Sequence, residues 1–304
     1  MNNYISIVLT VAGGLALFLY GLSLLSKGLQ KAAGDRLRFI LEKLTNKPIK
    51  GVLVGLIVTA TIQSSSITTV TLIGLINSGL MSLEQAVGVV LGAEIGTTVT
   101  AQIVSFKVGK MFFPLIAVGF FLFFLGKKDK YRFTGQIILG FGILFLGMHT
   151  MSSAVRPLKD NRFFVETLAS FGKIPLLGII VGAVFTGIIQ SSSATTGLVI
   201  AMGKEKIISL NAAIPIILGA NIGTCVTALI ASIGSSLSSK RTAMSHLVFN
   251  LIGVALFFPF LGYFTQIVSL TSSEIPRQIA NAHTMFNTTM TLIMLPCVRL
   301  LIAL

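Results

Sequence analysis

Long apolar runs alternate along this chain with short polar stretches, and several runs carry polar clusters at their centres. Ile5 to Leu25 is the first, about 20 residues and long enough to cross a bilayer as a helix. Lys27 to Lys50 follows, with seven Lys or Arg against Asp35 and Glu42. Within it Leu37, Ile40, Leu41 and Leu44 fall at helical spacing, which predicts an amphipathic helix along the membrane surface. Ile49 to Leu80 is apolar but broken near its middle by Gln63-Ser64-Ser65-Ser66. Each arm of about 14 residues spans roughly 20 Å as helix, short of a hydrocarbon core of about 30 Å. Two such arms predict a re-entrant hairpin; the rival is one long helix whose polar patch faces a bundle.

Ala86 to Val104 reads as a crossing interrupted by LGAEIGTTVT at Leu91 to Thr100, a helix expected to open near Gly96 and Thr97. Met111 to Leu125 is a third crossing, and Gly126 to Arg132 closes the first half. The order then recurs: Phe133 to Met151, a second interfacial stretch from Arg156 to Lys173, a split segment from Pro175 to Met202, and Ala212 to Ile233. Leu247 to Phe264 and Ile279 to Leu304 finish the chain, the last without a partner in the first half.

The recurrence keeps its register. Thr59 to Thr71 (TATIQSSSITTVT) and Thr186 to Leu198 (TGIIQSSSATTGL) agree at eight of thirteen positions, and LGAEIGTTVT and LGANIGTCVT at eight of ten. Gln63/Gln190, Gly92/Gly219, Pro48/Pro175, Gly51/Gly178 and Gly55/Gly182 all lie 127 apart, the mark of an internal repeat. If the split segments turn back, each half crosses three times and the second half is inverted, with a site near the midplane. If they cross, the repeats are parallel. The predicted fold is an all-α polytopic membrane protein of two inverted repeats, each with a hairpin and a broken helix, plus one extra C-terminal helix. The divisions are 1–126, 133–265 and 277–304.

Composition agrees: 54% of the 304 residues are hydrophobic, 11% are charged, and the mean hydropathy is +0.92. The net charge of +14 sits between the apolar runs, so it reads as membrane-flanking charge and not as a nucleic-acid surface. Lys27 to Lys50 and Lys127 to Arg132 favour the cytoplasm for those loops. Cys225 and Cys297 lie in separate apolar runs and suggest neither a disulfide nor a metal site. There is no G-x-S-x-G, no phosphate-binding Walker loop and no zinc spacing, so an enzyme is not expected.

The chemistry lies at the breaks. A helix that begins at Gln-Ser-Ser-Ser offers unpaired N–H groups, a partial positive charge and serine hydroxyls, and two such ends could hold an oxyanion. The candidate anion-binding residues are Gln63, Ser64, Ser65, Ser66, Gln190, Ser191, Ser192 and Ser193, with no Lys or Arg in either split segment. Side-chain oxygens and exposed carbonyls nearby suit sodium. The candidate cation-binding residues are Glu94, Thr97, Thr98, Asn221, Thr224, Thr68, Thr195, Thr196 and Asn250. Small polar residues that merely pack helices together are the structural alternative. Glu94 is the one carboxylate inside an apolar run, a candidate for a cation, a proton or a helix-to-helix bond. HLVFN at His246 and HTMFN at His283 share a His-x-x-Phe-Asn spacing that packing explains equally well.

Duplicated Gln-Ser-Ser-Ser, each followed 29 residues later by a Gly-x-Asn-Ile-Gly-Thr-like segment, resembles the type II sodium/phosphate cotransporters and their bacterial relatives. The resemblance covers roughly Ile5 to Leu304. It implies a membrane transporter of inverted repeats that couples sodium to inorganic phosphate, in the cytoplasmic membrane of a bacterium. Gln63 to Ser66 and Gln190 to Ser193 match the family's substrate and sodium region, Asn221, Gly223 and Thr224 its second motif, and His246 to Asn250 its later helix. The chain departs at Glu94, where the family usually shows Asn, and in lacking a His-x-x-Phe-Asn in its first half. Expected partners are inorganic phosphate, sodium and the lipid bilayer, with a second copy of the chain admitted; sodium is a coupling ion and no cofactor is expected. A carrier of dicarboxylate or sulfate, or an uncoupled anion channel, are the alternatives.

Overall fold

The computed structural model describes residues 3–33, 40–41, 45, 47–106 and 109–303, and among these there is helix and no strand. The first helix, α1 (Asn3–Ala33), absorbs Lys27 and Lys31; of the interfacial helix expected next, Leu37 and Leu44 lie outside the described residues. Then come α2 (Pro48–Ile62), α3 (Ser65–Asn77), α4 (Leu83–Val104), α5 (Phe112–Leu125) and α6 (Asp129–Val155). A 3-10 turn at Arg156–Asp160 leads to α7 (Arg162–Lys173), α8 (Pro175–Ile189), α9 (Ser192–Lys204), α10 (Leu210–Ala231) and α11 (Leu237–Phe257). A further 3-10 turn, Phe258–Phe260, precedes α12 (Leu261–Ser269), α13 (Ile275–Met294) and α14 (Val298–Ala303).

The bundle is apolar on its outer surface as well as in most of its core, and its interior also holds many polar side chains. Phe113, Phe120, Phe121 and Phe124 of α5 face outward, while Thr59, Thr97, Asn221, His246, Asn250, His283 and Asn287 are buried. An apolar exterior around hydrogen-bonded polar groups is what a lipid solvent favours. Among the described residues five helices are long and apolar enough to cross a membrane, or six if the pair Arg162–Lys173 and Pro175–Ile189, bent by 107°, counts as one span. The amphipathic stretch expected at Arg156 to Lys173 is thus α7, turned sharply away from α8. Where a crossing was expected at Met111 to Leu125, α5 has only 14 residues. That is about 21 Å of helix, too short to span alone.

Repeat equivalents start and stop together. Helices α2/α8, α3/α9 and α4/α10 have the same lengths, 15, 13 and 22 residues, each pair displaced by 127. The glycines explain much of this. A Cβ on Gly55 or Gly92 would overlap the carbonyl of Val89 or Val52, and one on Gly182 or Gly219 that of Ile216 or Ile179. Bare backbone at these positions lets α2 lie on α4, and α8 on α10, at nearly main-chain contact. Equivalent helices α1 and α6 pack antiparallel: Gly14 meets Gly147 and Met151, Gly21 meets Gly140 and Leu144, and Gly28 meets Phe133 and Ile137.

Two sequence expectations are corrected. Helix α4 runs unbroken through Gly96 and Thr97, as α10 does through Gly223 and Thr224. The glycine is used for close packing: a Cβ on Gly96 would meet Thr59 and the Leu56 carbonyl. The C-terminal helix, unmatched in sequence order, has a partner in space. His246 of α11 bonds Glu94, and His283 of α13 bonds Asn221, the residue 127 beyond Glu94. Helices α11 and α13 also run antiparallel, since Gly253 meets Phe286 and Met290 while Phe257 stacks on Phe286. Helix α13 also lies along α4 of the first repeat, where Thr291 donates to Leu91 O at 3.0 Å and Thr284 to Thr98 at 3.1 Å.

Candidate functional site

Both Gln-Ser-Ser-Ser segments are the turns where α2 gives way to α3 and α8 to α9. Gln63 and Gln190 adopt left-handed backbone, φ 59° and 57°, and end their helices with an N–H bond to Thr59 O and Thr186 O. A non-glycine residue with positive φ is uncommon, and here the same one occurs twice at equivalent places. Ser64 then caps α3 by accepting the Ile67 N–H at 3.2 Å, and Ser191 caps α9 by accepting the Ala194 N–H at 3.2 Å. The arms fold back at the turn: the Thr59 and Thr68 hydroxyls lie 2.9 Å apart, and those of Thr186 and Thr195 2.6 Å apart. Nine residues along a straight helix would separate them by about 13 Å.

The two tips meet in one cavity of about 250 Å³ lined by Gln63 to Ser66 and by Gln190 to Ser193. All eight candidate anion-binding residues are there, but they are not equally free. The Ser64 and Ser191 oxygens are engaged as caps. Gln63 is buried, its Oε1 accepting from Thr100 at 2.8 Å and its Nε2 donating to Ala60 O. Gln190 is exposed. Ser65, Ser192 and Ser193 are buried at the first positions of their helices, where main-chain N–H groups lack intrahelical acceptors. Two helix N-termini and a set of hydroxyls thus converge on one volume, an arrangement suited to an oxyanion.

Helix α1 adds the polar side chains Ser23, Ser26, Lys27 and Gln30 to the wall. Ser26 also donates to Ile62 O, tying α1 to the first tip. Sequence reasoning missed these four because Lys27 was counted as a flanking charge. The signal was available: positions 23, 26, 27 and 30 form one helical stripe at the end of the first apolar run. The site is therefore not free of basic side chains, as the split segments alone suggested.

The candidate cation-binding residues are not gathered into one cluster. Thr97 lines the cavity. Glu94, one turn below it, bonds His246 Nε2 at 2.7 Å, both side chains being buried. Asn221 bonds His283 at 2.9 Å and Asn287 at 3.2 Å. Thr68 and Thr195 clasp the two turns, Thr98 and Thr224 donate to the carbonyls of Ile95 and Ala220, and Asn250 donates to His246 O. Among the described residues the buried Thr196 hydroxyl and the Asn250 Oδ1 have no hydrogen-bond partner, and no three His, Cys, Asp or Glu side chains group as metal ligands.

The family model for the Na+/Pi-cotransporter matches the chain twice, over residues 17–153 and 147–295, so that each match holds one tip. The chain belongs to the Na+/Pi-cotransporter family. This is a family of transporters and not of enzymes, and the chain, with its several apolar helices, is a multi-pass integral membrane protein. It is similar to YqeW of Bacillus subtilis, 33% identical over 283 residues, 93% of this chain and 92% of that one. It is also similar to YjbB of Escherichia coli, named for inorganic phosphate export, at 29% identity over 292 residues. That match covers 96% of this chain and 54% of YjbB, so the chain spans about half of that relative's length. A third similarity, 34% over 137 residues, is to the human sodium-dependent phosphate transport protein 2B and covers 41% of this chain and 20% of that one. No solved structure matches the chain.

Proposed function

We infer that the chain is a secondary transporter of inorganic phosphate driven by sodium, with the anion held between the two Gln-Ser-Ser-Ser tips. The observation that carries this is the single cavity bounded by both helix starts, with Lys27 at its wall. A tetrahedral anion there would meet N–H groups and hydroxyls from two sides, and the basic side chain lowers the cost of dehydrating it. Its hydrogen-bonding residues would be Ser65, Ser66, Ser192, Ser193 and Gln190, with Gln63, Ser64 and Ser191 shaping the turns.

Sodium would draw its oxygens from Thr97 and Thr98 near Glu94, and from Thr224 near Asn221, with Thr68, Thr195, Thr196 and Asn250 behind the tips. Glu94 is the one carboxylate in that set. The repeats are read as inverted, 1–126 against 133–265, with 277–304 completing the first. Antiparallel packing of α1 on α6, and of α11 on α13, supports this, because a two-fold axis across the helices pairs equivalents head to tail.

The test is phosphate flux into proteoliposomes with and without a sodium gradient. The expected result is uptake that rises with inward sodium and persists in excess sulfate or succinate. Uptake indifferent to sodium would remove the coupling ion, and suppression by sulfate or succinate would replace phosphate with another anion.

A further inference from the structure

A second cavity, of about 550 Å³, opens at the far side of the bundle. Its wall includes Ser105 and Phe106 at the end of α4, Lys204 and Lys206 at the end of α9, His149 of α6, and Glu274. The tip cavity follows α1 toward Lys27 and Gln30, the end that lies beside Phe133 and Ile137 of α6. The far cavity instead meets α6 at Phe145, Met148 and His149, next to the end of α6 that packs on Gly14 of α1. The two volumes thus open toward opposite ends of the α1–α6 pair.

Between them the seam of α4 and α13 is polar throughout. Thr284 donates to Thr98 at 3.1 Å, and Gln102 Nε2 donates to Thr284 at 2.8 Å and to Asn281 Oδ1 at 3.2 Å. Arg277 Nη1 donates to Ser105 Oγ at 3.0 Å and Gln102 O at 3.2 Å, its guanidinium 4.4 Å from the Phe106 ring centre. One end of this ladder is Thr98, beside Thr97 in the tip cavity, and the other is Ser105 in the far wall. The seven-residue step from Thr98 to Ser105 rises only about 10 Å.

The second repeat builds the equivalent seam with fewer polar groups: Asn250 reaches Cys225 there, and Ser232 and Lys240 match Ser105 and Arg277, but the middle of the ladder is missing. Opposite Thr98 and Gln102 stand Cys225 and Leu229, and opposite Asn281 and Thr284, 37 residues earlier, stand Met244 and Leu247. Ile73, Ala228 and Ala243 are buried there with Leu229 against them. The fold therefore packs the middle of this interface around apolar Leu229, and interhelical glue does not by itself account for the Gln102–Thr284–Asn281 rungs present in one copy alone.

We propose that the α4–α13 seam is the route by which an oxyanion passes between the tips and the far cavity, with Arg277 as the positioning cation at its outer end. Thr98, Thr284, Gln102 and Asn281 already hold hydrogen bonds they can exchange for bonds to a passing anion, whereas an apolar septum offers none. The second seam stays shut on this account, so the two faces of the molecule differ in kind. The inference rests on the transport reading above.

Inorganic phosphate is the probe. Gln102→Leu and Thr284→Leu install the residues of the closed seam. They should lower maximal phosphate flux in proteoliposomes about tenfold or more, while phosphate binding by purified protein stays within about twofold. Undiminished flux in both variants overturns the route. Where either fails to fold, Gln102→Cys with Cys297→Ser serves instead, since Cys225 is buried. A membrane-impermeant thiol reagent should then react from the far-cavity side, and bound phosphate should slow it; a thiol unreactive from both sides overturns the route. Reaction at 102 in a protein that carries no phosphate would keep the route and remove phosphate as its solute.

Discussion

Gln63 and Gln190 sit in the same left-handed turn, at the ends of helices of equal length, yet only the first is fastened. Thr100 donates to Gln63 Oε1 at 2.8 Å and Ser26 ties the same tip to α1. In the second repeat Gln190 is exposed, and the hydroxyl of Thr227, the counterpart of Thr100, is buried with no partner among the described residues. The backbone needs only the shared glycines and the Thr clasp, so it repeats faithfully; the side-chain fastenings do not. The first tip is tied to α4 and to α1, and the second keeps its Thr186–Thr195 clasp but lacks both of those ties. The buried histidine contacts divide the same way, His246 on a carboxylate and His283 on an amide.

The largest expected effect breaks that last contrast. Glu94→Ala strands a buried imidazole and should cost about 3–5 kcal/mol, against about 1–3 kcal/mol for Asn221→Ala, read as thermal unfolding in detergent. Equal losses would mean the charge makes no difference to the packing. Glu94→Gln keeps the shape and a hydrogen bond to His246, so it should unfold like wild type while weakening the sodium dependence of uptake.

A smaller effect sharpens the tip comparison. Thr100→Val removes the hydroxyl bonded to Gln63 and should cost about 1 kcal/mol of stability. Thr227→Val, with nothing to lose, should be neutral or slightly stabilising; comparable losses would erase the difference between the tips. Smaller still, Gln190→Cys should react with a polar thiol reagent about tenfold faster than Gln63→Cys, because access sets the rate. Similar rates would show that both tips open alike.

Much of this was legible in the chain. Breaks at Gln63 and Gln190 followed from polar residues at mid-run, and the constant step of 127 matched the helix ends of α2/α8, α3/α9 and α4/α10. Glycine was the ambiguous letter: at Gly96 it could open a helix or let a neighbour approach, and only the position of Thr59 against it decides. The place of α13 could not be read from order, because two helices 37 residues apart became equivalents through their contacts with Glu94 and Asn221. The His-x-x-Phe-Asn spacing was their one shared mark. Lys27 was hidden by its position at the end of an apolar run, where a basic residue ordinarily marks the membrane surface.

The central claim is that both tips hold one anion, and phosphate affinity in Ser65→Ala, Ser192→Ala and the double variant tests it most directly. Each hydroxyl meeting a charged oxygen is worth about 1.5–3 kcal/mol, so each single change should weaken phosphate about 10- to 100-fold. Because the two hydroxyls would share one ligand, both variants should show the loss in protein that still unfolds like wild type. Unchanged affinity in both single variants would contradict a site shared between the tips.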